Sequence, residues 1–482
     1  MIDLRPVGYV IGLLVVILGA TMLVPMLIDI LDGAEHWTVF LVSAILTTLL
    51  GGALALSCAN GVDEGLNIQQ TFLLTTSVWV ALPLFGAIPF VIGETDARFV
   101  DAYFEAMSGL TTTGSTVFSG LDALPKGLLL WRGMLQWFGG IGIIVVAMVF
   151  LPELRIGGMQ IFRSEGFDTF GKILPRATEI SSRISGIYVL LTFTCAFAYI
   201  ASGMRTFDAL VHAMTTIATG GFANYDASFG AFTPAAEYVS VIFMMLAALP
   251  FVRYVQLIGG TARPLFGDSQ VRAFFKTAVV LIVIMTLWHW LSAPLQGEEA
   301  FRKSLFNVVS ILTGTGYASA DYMYWGAFPI AMFFFIGLIG GCAGSTACSV
   351  KIFRYQLLFS AITAQIRKIH SPHGIFATRY NGRDVGEDVL SSVMSFFVLF
   401  VVTLGVLSLL LGLAGLDFIT SVSGAAAALA NIGPGLGPEI GPAGNFGGLR
   451  DLAKWILIAG MVIGRLELMA VYAIFTWRFW RA

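Results

Sequence analysis

Long apolar runs of about twenty residues recur along this chain, with short stretches of Gly, Ser and Thr between them. A run of that length crosses the roughly 30 Å of bilayer hydrocarbon as a helix. Two such runs come first, at 7–30 and 37–59. Four units follow, each with a long apolar helix, a shorter and less apolar segment ending in Gly or Thr, and a second long helix. The first unit pairs 71–92 with 128–151 around 101–120, and the second pairs 184–202 with 238–257 around 207–224. The third pairs 277–295 with 327–353 around 301–317, and the fourth pairs 389–414 with 452–477 around 417–437. The pattern predicts an all-α polytopic membrane protein with ten spans and four re-entrant segments. Two N-terminal helices precede four helix–pore-helix–helix repeats around a pseudo-fourfold central pore. The N-terminal unit is residues 1–68, and the repeats are 69–180, 181–273, 274–386 and 387–482. Residues 1–30 form too long an apolar run for a signal peptide and lack a small-residue cleavage site, so they are read as the first span.

Composition narrows the class. The 482 residues are 57% hydrophobic and only 12% charged, about half the charge of a soluble chain. No polar segment is long enough for a large soluble domain, and a net charge of -2 gives no sign of nucleic-acid binding. Cys58, Cys195, Cys342 and Cys348 lie in or beside apolar segments and are read as small buried residues. His36, His212, His289, His370 and His373 form no ligand set. His212 is read as a packing residue, and His370 and His373 as part of a partner surface in the basic linker 367–383. No nucleophile elbow, phosphate loop or HExxH pattern is present, so an enzyme has little support and no covalent cofactor is expected.

The repeats share a register. Gly114, Gly220, Gly316 and Gly433 fall at intervals of 106, 96 and 117 residues, which suggests internal duplication. Counted back from them, each short segment has twelve residues, too few to span the hydrocarbon and enough for a helix dipping halfway in. A dehydrated cation needs oxygen dipoles in place of its water, and backbone carbonyls supply them without a fixed charge that would trap it. Turning carbonyls toward an axis favours glycine. Thr112-Thr113-Gly114, Ala218-Thr219-Gly220, Gly314-Thr315-Gly316 and Asn431-Ile432-Gly433 meet that need as the four walls of a selectivity filter, with the ion held at these residues. The fourth wall has no Thr. Half-helices entering from outside would point their negative dipole ends into the pore. Asp226, Asp321, Glu439, Glu94, Asp96 and Asp101 would add a cation-attracting mouth.

Two further features lie at membrane depth. Arg465 sits near the middle of the last apolar run. Its burial there costs roughly 3 kcal/mol or more, so it is read as facing the pore as a barrier or gate. Glu467 is two residues away and points off that face. The run 337–349 holds Gly340, Gly341, Gly344, Ser345 and Thr346, which should break its helix below the filter and form a flexible gate. Close packing through small residues is the plainer alternative. Orientation follows from 18 of the 27 Lys and Arg, which fall at the ends or in the linkers after each second helix. Among them are Arg155, Arg163, Lys172 and Arg176. These linkers and both termini are expected in the cytoplasm. The connection 57–70, with Asp63 and Glu64 and no basic residue, fits that topology poorly.

With SGLTTTGST in the first unit, ATGGFAN in the second, TGTGY in the third, GPGLG in the fourth, and GGCAGSTA and GRLE beyond, the chain resembles the Trk/Ktr/HKT superfamily. The two extra N-terminal helices make it most similar to the TrkH/TrkG type, the membrane subunit of bacterial Trk potassium uptake systems. The resemblance implies potassium uptake across the bacterial inner membrane, a homodimer in lipid, and a cytoplasmic ring of TrkA-type nucleotide-binding regulatory subunits. It maps the filter onto the four triplets and the gate onto 337–349 and Arg465. A first-repeat glycine, here Gly114, goes with K+ preference in that family. Cys342 and Cys348 in the broken helix depart from its pattern. The alternative is a cation-coupled (H+ or Na+) symporter, which would need paired inverted repeats and intramembrane acids.

Overall fold

The computed structural model describes residues 2–61, 66–146, 177–292 and 295–481. Arg155, Arg163, Lys172, Arg176, Asp63 and Glu64 lie outside the described residues. The first span, Arg5–Asp32, is interrupted only at Met22 and packs on Trp37–Cys58. Its far end is bolted to the repeats by a buried carboxylate. Asp29 accepts the Gly127 amide at 2.6 Å and lies 3.0 Å from His36 Nδ1.

Four helix–half-helix–helix units follow. Their half-helices are Phe99–Leu110, Thr206–Ile217, Gly297–Leu312 and Phe418–Ala430. The first helices, Ile68–Ile92, Ser181–Ala201, Ser269–Ser292 and Glu387–Leu413, are only 28–39% buried. Their outward Leu, Val and Phe form the face that lipid would cover. The second helix of the first unit, Lys126–Val145, is 72% buried and belongs to the inner layer. That division puts the half-helices, buried along most of their length, at the centre.

Seven described helices are long and apolar enough to cross a membrane, and an eighth span is a bent pair. Fewer than the ten expected spans pass as single unbroken helices because the second helices of the last three units are interrupted. In the second unit Pro234–Ala247 and Phe251–Ile258 meet at 91°, where Pro250 cannot donate a helical hydrogen bond. In the third, the helix stops at Gly337 and resumes only at Ile352, running on to His370. In the fourth, Asp451–Arg465 ends before Met469–Ile474, with Glu467 and Leu468 at positive φ. No Pro marks that last break, and tertiary contacts described below hold it. Past His370, a small hairpin pairs Arg379 with Asp384 across the turn Asn381-Gly382, both residues at positive φ as a two-residue hairpin turn requires.

Candidate functional site

Each half-helix ends in the same turn. The first residue at positive φ is Thr112, Thr219, Gly314 or Asn431, and two residues later comes a glycine at positive φ: Gly114, Gly221, Gly316 or Gly433. The amide between them reaches back into its own helix: Thr113 to Ser108, Gly220 to Thr215, Thr315 to Ser310, and Ile432 to Ala427. Thr112 (φ 52°) and Thr219 (φ 49°) are β-branched residues in the left-handed region. Such residues persist there only where the surroundings over-determine them, and they cluster at functional sites. In the fourth turn Asn431 tolerates the same conformation. Its Nδ2 donates to Thr113 Oγ1 at 2.9 Å and to the Met461 carbonyl at 3.1 Å, so the wall without a threonine is tied to the first.

The turns close into a ring. A β-carbon added at Gly114 would stand 2.2 Å from the Gly220 carbonyl oxygen, and one at Gly221 would stand 1.9 Å from that of Thr315. At Gly316 it would meet the Ile432 oxygen at 1.9 Å, and at Gly433 the Thr113 oxygen at 2.9 Å. Each unit thus presses its glycine onto the carbonyl of the next, and the fourth returns to the first. This corrects the expected register in one place. Gly221, not Gly220, stands where Gly114, Gly316 and Gly433 stand, and Ala218 is one residue too early. The sequence reading took the first glycine of the pair Gly220-Gly221. Gly220 instead offers its carbonyl to the ring, and its φ is ordinary. All four ring glycines line a vestibule of about 160 Å³ with Asp226, Tyr225 and Asn445.

One helix holds two of the walls from behind. On Lys126–Val145, Gln136 donates to the Gly220 carbonyl at 2.6 Å and accepts the Phe222 amide at 3.0 Å. One turn earlier, Arg132 donates to the Ala223 carbonyl and to Glu105, both at 2.8 Å. The Arg132–Glu105 pair is almost wholly buried, a setting in which a charge must be paired. Three of the six mouth acids are committed elsewhere. Asp226 caps the Gly120 and Leu121 amides, Asp321 accepts from Met323, and Asp101 pairs with Arg98 and Lys454. Glu94, Asp96 and Glu439 are exposed.

Beneath the ring lies the break 338–351. Its two ends cross, with Ile339 bridged to Val350 and Gly340 donating to the Val350 carbonyl. Between them the loop touches every other unit. Cys342 donates to the Ala248 carbonyl, and the Phe251 amide donates to that of Gly344. Thr346 Oγ1 donates to Ala247, and the Ala343 amide to Gln270 Oε1. Ser345 Oγ folds back on Cys342, while Gly341 packs on Ala347 and Ala248. Cys348 Sγ lies 3.6 Å from Thr112 Oγ1 above and 2.9 Å from an Arg465 guanidinium nitrogen. Arg465 also donates to the Gly139 carbonyl at 3.1 Å and lies over Trp79. It is 4% exposed. Sequence placed Arg465 and the loop at similar depth but gave no sign that they touch, and Cys348 supplies the contact. Glu467 points away and pairs with buried Arg354, at the start of the helix after the loop. That ion pair spans the otherwise unexplained break at 466–468.

Four parallel units around a closed ring of backbone turns, with a loop and a buried arginine beneath, define a membrane transport protein rather than an enzyme. Residues 36–478 match the TrkH family, described as cation transport proteins. The chain is 41% identical to the Trk system potassium uptake protein TrkI of Halomonas elongata, over 99% of this chain and 97% of that one. It is 36% identical to the Trk system potassium uptake protein TrkH of Escherichia coli K12, over 99% of each. The crystal structure of the potassium transporter TrkH from Vibrio parahaemolyticus superposes with a TM-score of 0.92 at 33% identity, covering all of both chains. The chain belongs to the TrkH family.

Proposed function

We propose that this protein takes up potassium across the bacterial inner membrane, conducting K+ in a channel-like manner through the ring of four turns. The observation that carries the reading is the cyclic contact of each ring glycine with the next unit's carbonyl. That contact supports reading the backbone oxygens of Thr113, Gly220, Thr315 and Ile432 as grouped around one axis, where they would replace an ion's hydration shell. Thr112, Thr219, Gly314 and Asn431 form the inner edge, and the vestibule faces the outside. The loop with Gly340, Gly341, Gly344, Ser345 and Thr346 is the gate, locked to Arg465 through Cys348. Basic linkers and both termini face the cytoplasm, where a TrkA-type nucleotide-binding subunit regulates a homodimer embedded in lipid.

Expression in a cell stripped of its own uptake systems is expected to restore growth on limiting potassium, more strongly with a nucleotide-binding partner than without. Absence of growth, with the protein demonstrably in the membrane, would refute the assignment. The ring register has its own test. Gly221→Ala drives a β-carbon into a backbone oxygen at positive φ, whereas at Gly220 it meets the Gln136 side chain, which can shift. The rubidium/sodium uptake ratio is therefore expected to fall further in Gly221→Ala than in Gly220→Ala. The reverse order would return Gly220 to the ring.

A further inference from the structure

In every repeat, one backbone amide just beyond the ring is held by a side chain of that repeat's own half-helix. The amide is the third after the ring glycine: Val117, Asn224, Ser319 and Leu436. Val117 donates to Glu105 Oε2 at 2.9 Å, and Asn224 donates to His212 Nε2 at 3.4 Å. Ser319 donates to Asn307 Oδ1 at 3.2 Å, and Leu436 donates to Ser423 Oγ at 2.9 Å. The acceptor stands nine residues before the glycine in the first three repeats. In the fourth that place is Gly424, and Ser423 beside it takes over. All four acceptors are buried.

One donor position thus meets four chemistries: carboxylate, imidazole, carboxamide and hydroxyl. The imidazole has only one state that serves. His212 Nδ1 lies 2.8 Å from the Asp208 carbonyl oxygen. That oxygen only accepts, so Nδ1 carries the proton and Nε2 is bare for the Asn224 amide. His212 is therefore a working acceptor as well as the packing residue that the sequence suggested, its ring lying against Phe229, Phe232 and Tyr317. Each acceptor has a second bond that fixes its aim. Glu105 holds Arg132 and Thr116, Asn307 Nδ2 donates to Ser319 Oγ, and Ser423 donates to the Leu436 carbonyl.

We propose that Glu105, His212, Asn307 and Ser423 are positioning residues for ion discrimination, each fixing the outer strand of one filter wall to the half-helix that carries it. The inference rests on the reading of the ring as a selectivity filter. A carbonyl ring discriminates between ions of different radius only while its oxygens keep their spacing. A strand with a freed, unpaired amide relaxes toward water in the vestibule, and the spacing goes with it.

The test compares the rubidium/sodium uptake ratio, the maximal rubidium rate and thermal melting for His212→Phe, His212→Gln and Ser423→Ala, with Gly114→Ser as the control at the ring. Phe keeps the ring shape and lacks an acceptor, whereas Gln places an amide oxygen near the position of Nε2. The expected result is a ratio lowered about tenfold in His212→Phe and Ser423→Ala, the scale on which a buried amide losing its acceptor acts. The maximal rate falls less than the ratio, and His212→Gln recovers most of the discrimination. If Gly114→Ser shifts the ratio and neither His212→Phe nor Ser423→Ala does, the positioning role is overturned and the filter reading stands. If Gly114→Ser also leaves the ratio unmoved, the filter reading itself is overturned. Should His212→Phe fail to accumulate in the membrane, Ser423→Ala, which removes a single oxygen, decides alone.

Discussion

Gly114→Ser is expected to lower the preference for K+ over Na+ by about tenfold or more while leaving the protein folded in the membrane. Two effects act together. Gly114 sits at φ 87°, where a side chain is strained by roughly 1–3 kcal/mol. The new β-carbon would also lie 2.2 Å from the Gly220 oxygen, far inside contact distance, so that carbonyl must swing away. Gly220 is not free to move without loss, because Gln136 holds the same oxygen at 2.6 Å. The first interface of the ring therefore opens, and a hydroxyl is added beside it. Both changes favour an ion that keeps part of its water. The measurement is the ratio of rubidium to sodium uptake in cells that have no other route, normalised to protein in the membrane. An unchanged ratio would remove Gly114 from the filter.

Arg465→Ala is expected to raise the rate of uptake several-fold. The guanidinium bonds Cys348 in the loop and the Gly139 carbonyl on the first unit's inner helix, and so ties the loop to that helix. Hydrogen bonds to a charged group contribute roughly 1.5–3 kcal/mol each. Loss of even one would shift a closed–open equilibrium of the loop by about tenfold. Removal of a fixed positive charge from beneath the ring also lowers the electrostatic barrier to a cation. Arg465→Lys keeps the charge but cannot fork to both partners, so its rate should fall between the two. A rate equal to that of the unaltered protein takes Arg465 out of the gate. A slower rate with a lower melting temperature would make it a structural arginine.

Much of the architecture was legible because hydrophobic length and small-residue punctuation are local signals. The four half-helices, the long apolar first helices and the Gly337–Ile352 break all follow from such runs. The failures are instructive in kind. Gly220 and Gly221 are adjacent glycines, and nothing local says which adopts positive φ. The Thr315 carbonyl pressing on Gly221 decides it. The break at 466–468 has no Pro or run of Gly, since Arg354 binds Glu467 from more than a hundred residues away. The meeting of Arg465 with Cys348 is equally non-local. The amide acceptors escaped notice because Glu, His, Asn and Ser do not look alike, although all four can accept one hydrogen bond.

The cyclic contact of the ring also bears on how such a protein changes over generations. A pore assembled from four identical chains alters every wall whenever one codon changes, so each substitution is tried in quadruplicate. Here a single chain contributes all four walls, and each ring glycine meets the carbonyl of one neighbouring wall. A codon change then edits one wall and tests it against two junctions. That independence lets Ile432 occupy a place held elsewhere by Thr113, Gly220 and Thr315, and it lets Asn431 stand where Thr112 stands. In the proposed filter, preference for one ion over another is thus tuned in quarter steps.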